Sequence, residues 1–143
     1  MKTTIAPDEH SHIKKDSQNW QDPEGPFAPL HAINPLRIRF ILDTLGAVGP
    51  LPKARGPLAG KTLLDVGCGG GLLTAAAARL KANVTGIDAD AQAIKAAQTH
   101  AKKQNLSITS PAHPIEILKK KKERPPFDIV TAMEIIEHVA DID

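Results

Sequence analysis

Gly67, Gly69, Gly70 and Gly71 flank Cys68 and directly follow the apolar run Leu63-Leu64-Asp65-Val66, so four of five successive positions lack a side chain. A strand that ends in glycines and opens a helix lets the backbone approach a ligand closely and aims first-turn amides at it. Nucleotide-like cofactors suit such a turn, and spacing separates the candidates. A dinucleotide fingerprint needs glycine at its first, third and sixth positions, but the sixth is Leu72. A triphosphate loop needs a Lys-Ser or Lys-Thr pair after the glycines, and none follows. Asp88 ends the next apolar run, about twenty residues beyond the loop, where a carboxylate can accept two hydrogen bonds from a ribose. The plainer alternatives are a tight turn for the glycines and an ordinary helix cap for Asp88. Asp65, inside the first strand, is expected to bond loop amides or a cofactor ammonium. Cys68 reads as a small packing residue, since no partner histidine stands near it.

These residues need a scaffold, and the chain alternates strand and helix around them. Leu63 to Val66 is predicted as a strand, Leu72 to Leu80 as an alanine-rich helix and Asn83 to Ile87 as a second strand. Asp90 is predicted to cap a helix from Ala91 to about Lys103, with Ile94, Ala97 and Ala101 inward. Leu106 to Thr109 and Phe127 to Thr131 read as third and fourth strands. Such alternation implies βαβ units, a parallel sheet and right-handed crossovers. Upstream, Asn34-Pro35 resembles an N-cap with proline at the first helical position, and Ile38, Ile41, Leu42 and Leu45 form an apolar stripe ending by Gly46 to Gly49. Residues 1–29 are polar and proline-containing and read as an arm with Trp20 and Phe27 as anchors. Residues 30–60 hold the helix and a Pro/Gly-rich linker, and residues 61–143 the βαβ domain.

Composition narrows the class. The chain has 143 residues, enough for one domain, and its hydrophobic fraction of 41% with only 3% aromatics calls for a core of Ala, Leu, Ile and Val. Eighteen basic residues nearly balance 16 acidic ones, which argues against a nucleic-acid partner. The run Lys119 to Lys122 lacks interleaved aromatics and leads to Pro125-Pro126, the pattern of a solvated loop. One cysteine excludes an internal disulfide. Neither a secretory signal nor a membrane-length apolar run is legible, so a soluble, cytoplasmic protein is expected.

Glycines packed at 67, 69, 70 and 71 resemble the first motif of S-adenosylmethionine-dependent methyltransferases, where the loop passes under the methionine part of the cofactor. A narrower resemblance follows from Trp20 with Asp22-Pro23-Glu24-Gly25-Pro26-Phe27, then Leu30 to Arg37, LLDVGCGGG at 63–71, VTGID at 84–88 and FDIVTAMEIIEHV at 127–139. In that order they are similar to the ubiquinone biosynthesis O-methyltransferases. The resemblance implies a Rossmann-like class I fold with strand order 3-2-1-4-5-7-6, of which the chain would hold 3-2-1-4 and stop early. It implies methyl transfer from S-adenosyl-L-methionine to a ring hydroxyl of a polyprenylated catechol or hydroquinone. It also implies contact with the inner membrane periphery and with other ubiquinone biosynthesis proteins.

Carried over by position, Arg37, Gly67, Asp88 and Met133 match cofactor-binding positions of that family: a carboxylate clamp, backbone access, a ribose acceptor and a flank for adenine. Taken alone, Arg37 reads as a solvated helix charge and Met133 as a core filler. Glu134, Glu137 and His138 match positions that bind a divalent metal in some members; helical spacing sets Glu134 beside the other two, and the set suits Mg²⁺. His138 is the candidate base for the acceptor hydroxyl. Gln21 departs from a second tryptophan usual in the family, and Ser107 to Pro114 offers no acidic residue for the adenine amine. A binding fragment without turnover and a nicotinamide-binding module are the rival readings.

Overall fold

The computed structural model describes residues 19–110, 126–133 and 135. His10, His12, the Lys119 to Lys122 run, Glu134, Glu137 and His138 lie outside the described residues. The element order is α1 (Ala28–Val48), β1 (Thr62–Val66), α2 (Leu72–Arg79), β2 (Asn83–Ile87), α3 (Ala91–Lys103), β3 (Ile108–Thr109) and β4 (Ile129–Thr131).

All strand pairs are parallel and the sheet order is β3-β2-β1-β4. The parallel pairing is the one expected from the alternation of strands and helices, and the order is the one the family resemblance implied. Register explains which side chains meet. Leu63 lies opposite Val84 on one side and Ile129 on the other, and two residues later Asp65 lies opposite Gly86 and Thr131. Because side chains alternate across a strand, these two rows share one face. The first row feeds the core, where Leu63, Val84 and Ile129 pack with Ile41 of α1 and with Leu73, Ala77 and Ala78 of α2. The second row is polar and sits toward the strand ends, beside the glycine loop.

Helix α3 forms as its sequence dictates. The Asp90 carboxylate accepts the Gln92 amide at 2.9 Å, capping one of the first-turn donors, and Ile94, Ala97 and Ala101 are buried. Helix α1 differs from expectation. It begins at Ala28 rather than after Asn34, with Pro29 in the first turn, where a missing amide costs nothing, and Pro35 inside the helix. Asn34 is therefore no cap. Its side-chain amide donates instead to the Leu72 carbonyl at 3.0 Å, tying α1 to the start of α2. The Pro/Gly-rich stretch before β1 is not merely a linker either, because Leu58 within it is completely buried in the core.

Candidate functional site

Three backbone turns converge at the C-terminal ends of β1 and β2. The amides of Gly67 and Cys68 both donate to the Ile87 carbonyl, at 2.8 and 3.0 Å, and the Gly71 amide donates to the Cys68 carbonyl at 3.0 Å. The Gly69 amide donates to Asp88 Oδ2 at 2.8 Å, while Asp88 Oδ1 accepts the Asp90 amide at 2.8 Å. Asp88 thus fastens the loop after β1 to the loop after β2. Each of its oxygens keeps a further lone pair, so the carboxylate holds the loop and can still accept from a ligand hydroxyl. The helix cap expected as its alternative is supplied by Asp90.

The amides of the loop are therefore largely committed to protein acceptors rather than bared for an anion. This differs from a phosphate-cradling turn, whose donors point at the ligand. The close approach that glycine permits is also used by the protein itself. A Cβ at Gly69 or Gly70 would overlap the Trp20 indole, and one at Gly67 would overlap the Ile135 side chain. Gly67, Gly69 and Gly71 adopt positive φ of 72°, 53° and 85°, which non-glycine residues rarely tolerate.

Trp20 was legible only as an anchor of the N-terminal arm, and its place is more specific than that. The indole is buried, stacks on Phe27 with ring centroids 3.7 Å apart, and lies on the glycine loop. His31 Nε2 donates to the Trp20 carbonyl at 2.9 Å, and Gln21 donates from its side-chain amide to the Gly70 carbonyl at 2.9 Å. Residues 20–34 form a strap across the loop. Gln21, noted in the sequence only as a departure from the related pattern, is a polar rivet of that strap.

Asp65 does not bond loop amides. Its carboxyl accepts the Thr131 hydroxyl at 2.7 Å, a contact that follows from their direct cross-strand pairing. Burial pushes its pKa up to about 7 from 3.8, with Thr131 and the charge of Arg37 pulling down and Asp88 pushing up. Asp88 is likewise raised, chiefly by burial, against the lowering pull of the Asp90, Gly69 and Ala89 backbone amides. Cys68 is buried and burial pushes its thiol far up, as befits a packing residue rather than a nucleophile.

Arg37, half-buried on α1, acts electrostatically on Asp65, which places its charge at the strand ends. Met133 follows β4 and packs against the core cluster. Arg37, Gly67 and Asp88 are thus brought to one end of the sheet, and Met133 lies just past the end of β4, which pairs with β1. Among the described residues no group of three His, Cys, Asp or Glu side chains converges to hold a metal.

A parallel sheet in this order, with a glycine turn after the first strand and a half-buried acid after the second, defines a Rossmann-like methyltransferase architecture. Residues 64–143 match the family model described as a methyltransferase domain, more than half of the chain, and the chain belongs to that family. More narrowly, it is 44% identical over 143 residues to the ubiquinone biosynthesis O-methyltransferase of Chelativorans sp. strain BNC1, covering 99% of this chain and 56% of that protein. It is also 44% identical over 140 residues to the enzyme of the same name from Pelagibacter ubique strain HTCC1062, covering 98% and 57% respectively. The chain spans about 56% of the length of the curated relatives it matches. Among solved structures, magnesium protoporphyrin IX methyltransferase from Synechocystis PCC 6803 with bound SAM superposes with a TM-score of 0.57. It is 19% identical, over 90% of this chain and 62% of that one, and shares the fold.

Proposed function

We propose that the chain is the cofactor-binding portion of an S-adenosyl-L-methionine-dependent O-methyltransferase of ubiquinone biosynthesis. The observation that carries the cofactor reading is charge. Two carboxyls, the buried Asp65 and the half-buried Asp88, outnumber the one guanidinium, Arg37, whose charge acts on Asp65, beside a loop whose amides are mostly spent on the protein. That balance suits a ligand bearing a sulfonium and an ammonium, and it disfavours the pyrophosphate of a nicotinamide cofactor.

The residues present fit the group. Arg37 would hold the methionine carboxylate, Asp88 the ribose hydroxyls through its remaining lone pairs, Gly67 would admit the chain of the ligand and Met133 would flank the adenine. When bound, the cofactor supplies a methyl group already activated on sulfur. The protein's remaining work is alignment of the acceptor oxygen with that methyl, exclusion of water, and removal of the hydroxyl proton. The proton of the acceptor hydroxyl would pass to a base of this chain, for which His138 is the candidate. Glu134 and Glu137 with His138 are proposed as a Mg²⁺ set on the strength of the family resemblance alone. Unchanged methylation in EDTA would remove that role.

The proposed acceptor is a ring hydroxyl of a polyprenylated catechol or hydroquinone, matching the names of the curated relatives. No helix among the described residues is long and apolar enough to cross a membrane. A cytoplasmic protein that meets its lipid-like acceptor, and other proteins of the pathway, at the membrane periphery is the reading that fits. Calorimetric titration with S-adenosylhomocysteine and with NAD tests the cofactor: saturable heat with the first alone is expected, and heat with NAD alone would overturn the assignment. Incorporation of radiolabelled methyl into a demethylubiquinol analogue, above a heat-killed control, separates an active transferase from a binding fragment.

A further inference from the structure

Between the strap and α3 lies an open cleft of about 550 Å³, lined by Trp20, Gln92, Lys95, Thr99, His100 and Lys103 among others. Five of these side chains, all but Trp20, recur along α3 at helical spacing, on the side away from the buried Ile94, Ala97 and Ala101. Every charged group on that lining is basic. Two more basic groups, Arg79 from the end of α2 and His31 from α1, line a separate cleft with Asn34 and Ile38 and act on this one only through their charge. Their charges act on His100, whose pKa is lowered first by burial and then by Arg79, Lys103 and His31 in turn.

None of Lys95, His100, Lys103 or Arg79 has an ion-pair partner among the described residues, where Arg39–Asp43 is the recorded pair. The helix dipole favours cations in a last turn, and this accounts for Lys102 and Lys103 on α3 and Arg79 on α2. It does not account for Lys95, two turns back, which lines the cleft together with His100 and Lys103. Crowded like charges repel, and an oxyanion seated among them would relieve that repulsion. The Trp20 indole N–H adds a second sign, since it is buried with no acceptor among the described residues, and buried donors nearly always find one.

We infer that this cleft is a binding site for a phosphate group, held by Lys95, His100 and Lys103 of α3, and distinct from the cofactor site at the strand ends. The inference does not rest on the methyltransferase reading, because none of these residues belongs to that site. A phosphate carries up to two negative charges and accepts several hydrogen bonds at once, which matches two ammonium groups and an imidazole set at helical spacing along one face of α3. The group can be free phosphate or the headgroup of an anionic lipid, and the chemistry of recognition is the same.

Trp20 is the chain's one tryptophan and it lines the cleft, so its fluorescence reports occupancy directly. The experiment titrates the full chain with inorganic phosphate at constant ionic strength set by sodium chloride. Parallel titrations use vesicles of phosphatidylglycerol and of phosphatidylcholine. A saturable change with phosphate is expected, weakened at least tenfold in the double variant His100→Gln with Lys103→Gln and unchanged in Lys53→Gln. A change with phosphatidylglycerol vesicles alone, lost in the same double variant, keeps the site and assigns it to a lipid headgroup. Circular dichroism of the variants confirms folding, which these surface substitutions leave intact. The inference is overturned if neither probe gives a saturable change, if chloride alone reproduces it, or if the folded double variant responds like the parent chain.

Discussion

Trp20 stands between two sites of opposite character. On one side, at the strand ends, acids are withdrawn from water: Asp65 is buried and Asp88 half-buried, both are raised by lost hydration, and hydrogen bonds from Thr131, Gly69 and Asp90 hold them in place. On the other, along α3, cations crowd a solvent-open cleft with few bonds among themselves. Burial makes the acidic site a matter of geometry, where each polar atom has an assigned partner and errors are costly. Exposure makes the basic cleft a matter of net charge, tolerant of single substitutions and weakened by salt.

The largest expected effect tests the partition itself. Trp20→Ala removes a buried indole that both regions share and should cost about 3 kcal/mol of stability, read by denaturant unfolding. Combined with Gly70→Ala, the cost should be less than the sum of the two single changes, because the added methyl occupies space the ring has left. Strict additivity would show that ring and loop do not touch in solution.

Next comes Asp88→Ala, which leaves the Gly69 and Asp90 amides without their acceptor. Loss of S-adenosylhomocysteine affinity by roughly 30-fold, or about 2 kcal/mol, is expected by calorimetry, with a smaller loss in Asp88→Asn, whose side-chain oxygen keeps one acceptor. Equal losses in the two variants would mean that the carboxylate charge, not the loop anchor, is what counts.

Asp65 offers a sign that no surface carboxylate shows. Its folded-state pKa of about 7 lies above the usual 3.8, so its contribution is fully present below pH 4 and is lost as the pH rises to 7. Asp65→Asn should therefore match the parent chain near pH 4 and exceed it by about 2 kcal/mol at pH 8, roughly half of what the full rise would give, because relaxation and water entry around the ionised carboxylate reduce its cost. A constant difference across that range in unfolding experiments would contradict the burial of this acid. The smallest effect follows from the same group: a cationic cofactor favours the ionised carboxyl, so affinity should rise about threefold between pH 6 and pH 8.

Much of this arrangement could be read from the chain, and the parts that could not share a cause. Strands β1 and β2, helices α2 and α3 and the Asp90 cap are local: a few residues of periodicity, a cap and a glycine turn specify each. Parallel pairing then follows from the βαβ alternation, while the strand order was legible only through the family resemblance. What escaped was long-range. Asn34 looks like a cap because its neighbour is proline, yet its partner is Leu72, 38 residues on. Asp65 and Thr131 are 66 residues apart and meet only once β4 has taken its register beside β1. The dense glycines signalled close approach correctly, but the sequence held no sign that the strap would supply the approaching group at Gly69 and Gly70. The cluster Glu134, Glu137 and His138 lies outside the described residues, and its role stands as proposed.

The fit of one aromatic ring on two residues without side chains also constrains how such a chain can change over generations. A lineage could lose the ring at position 20 first and later gain alanine at 70, passing through a weakened but workable intermediate. In the reverse order the first step drives a methyl into an occupied space. Inheritance at positions 20 and 70 should therefore be directional, the bulky partner yielding before the small one grows.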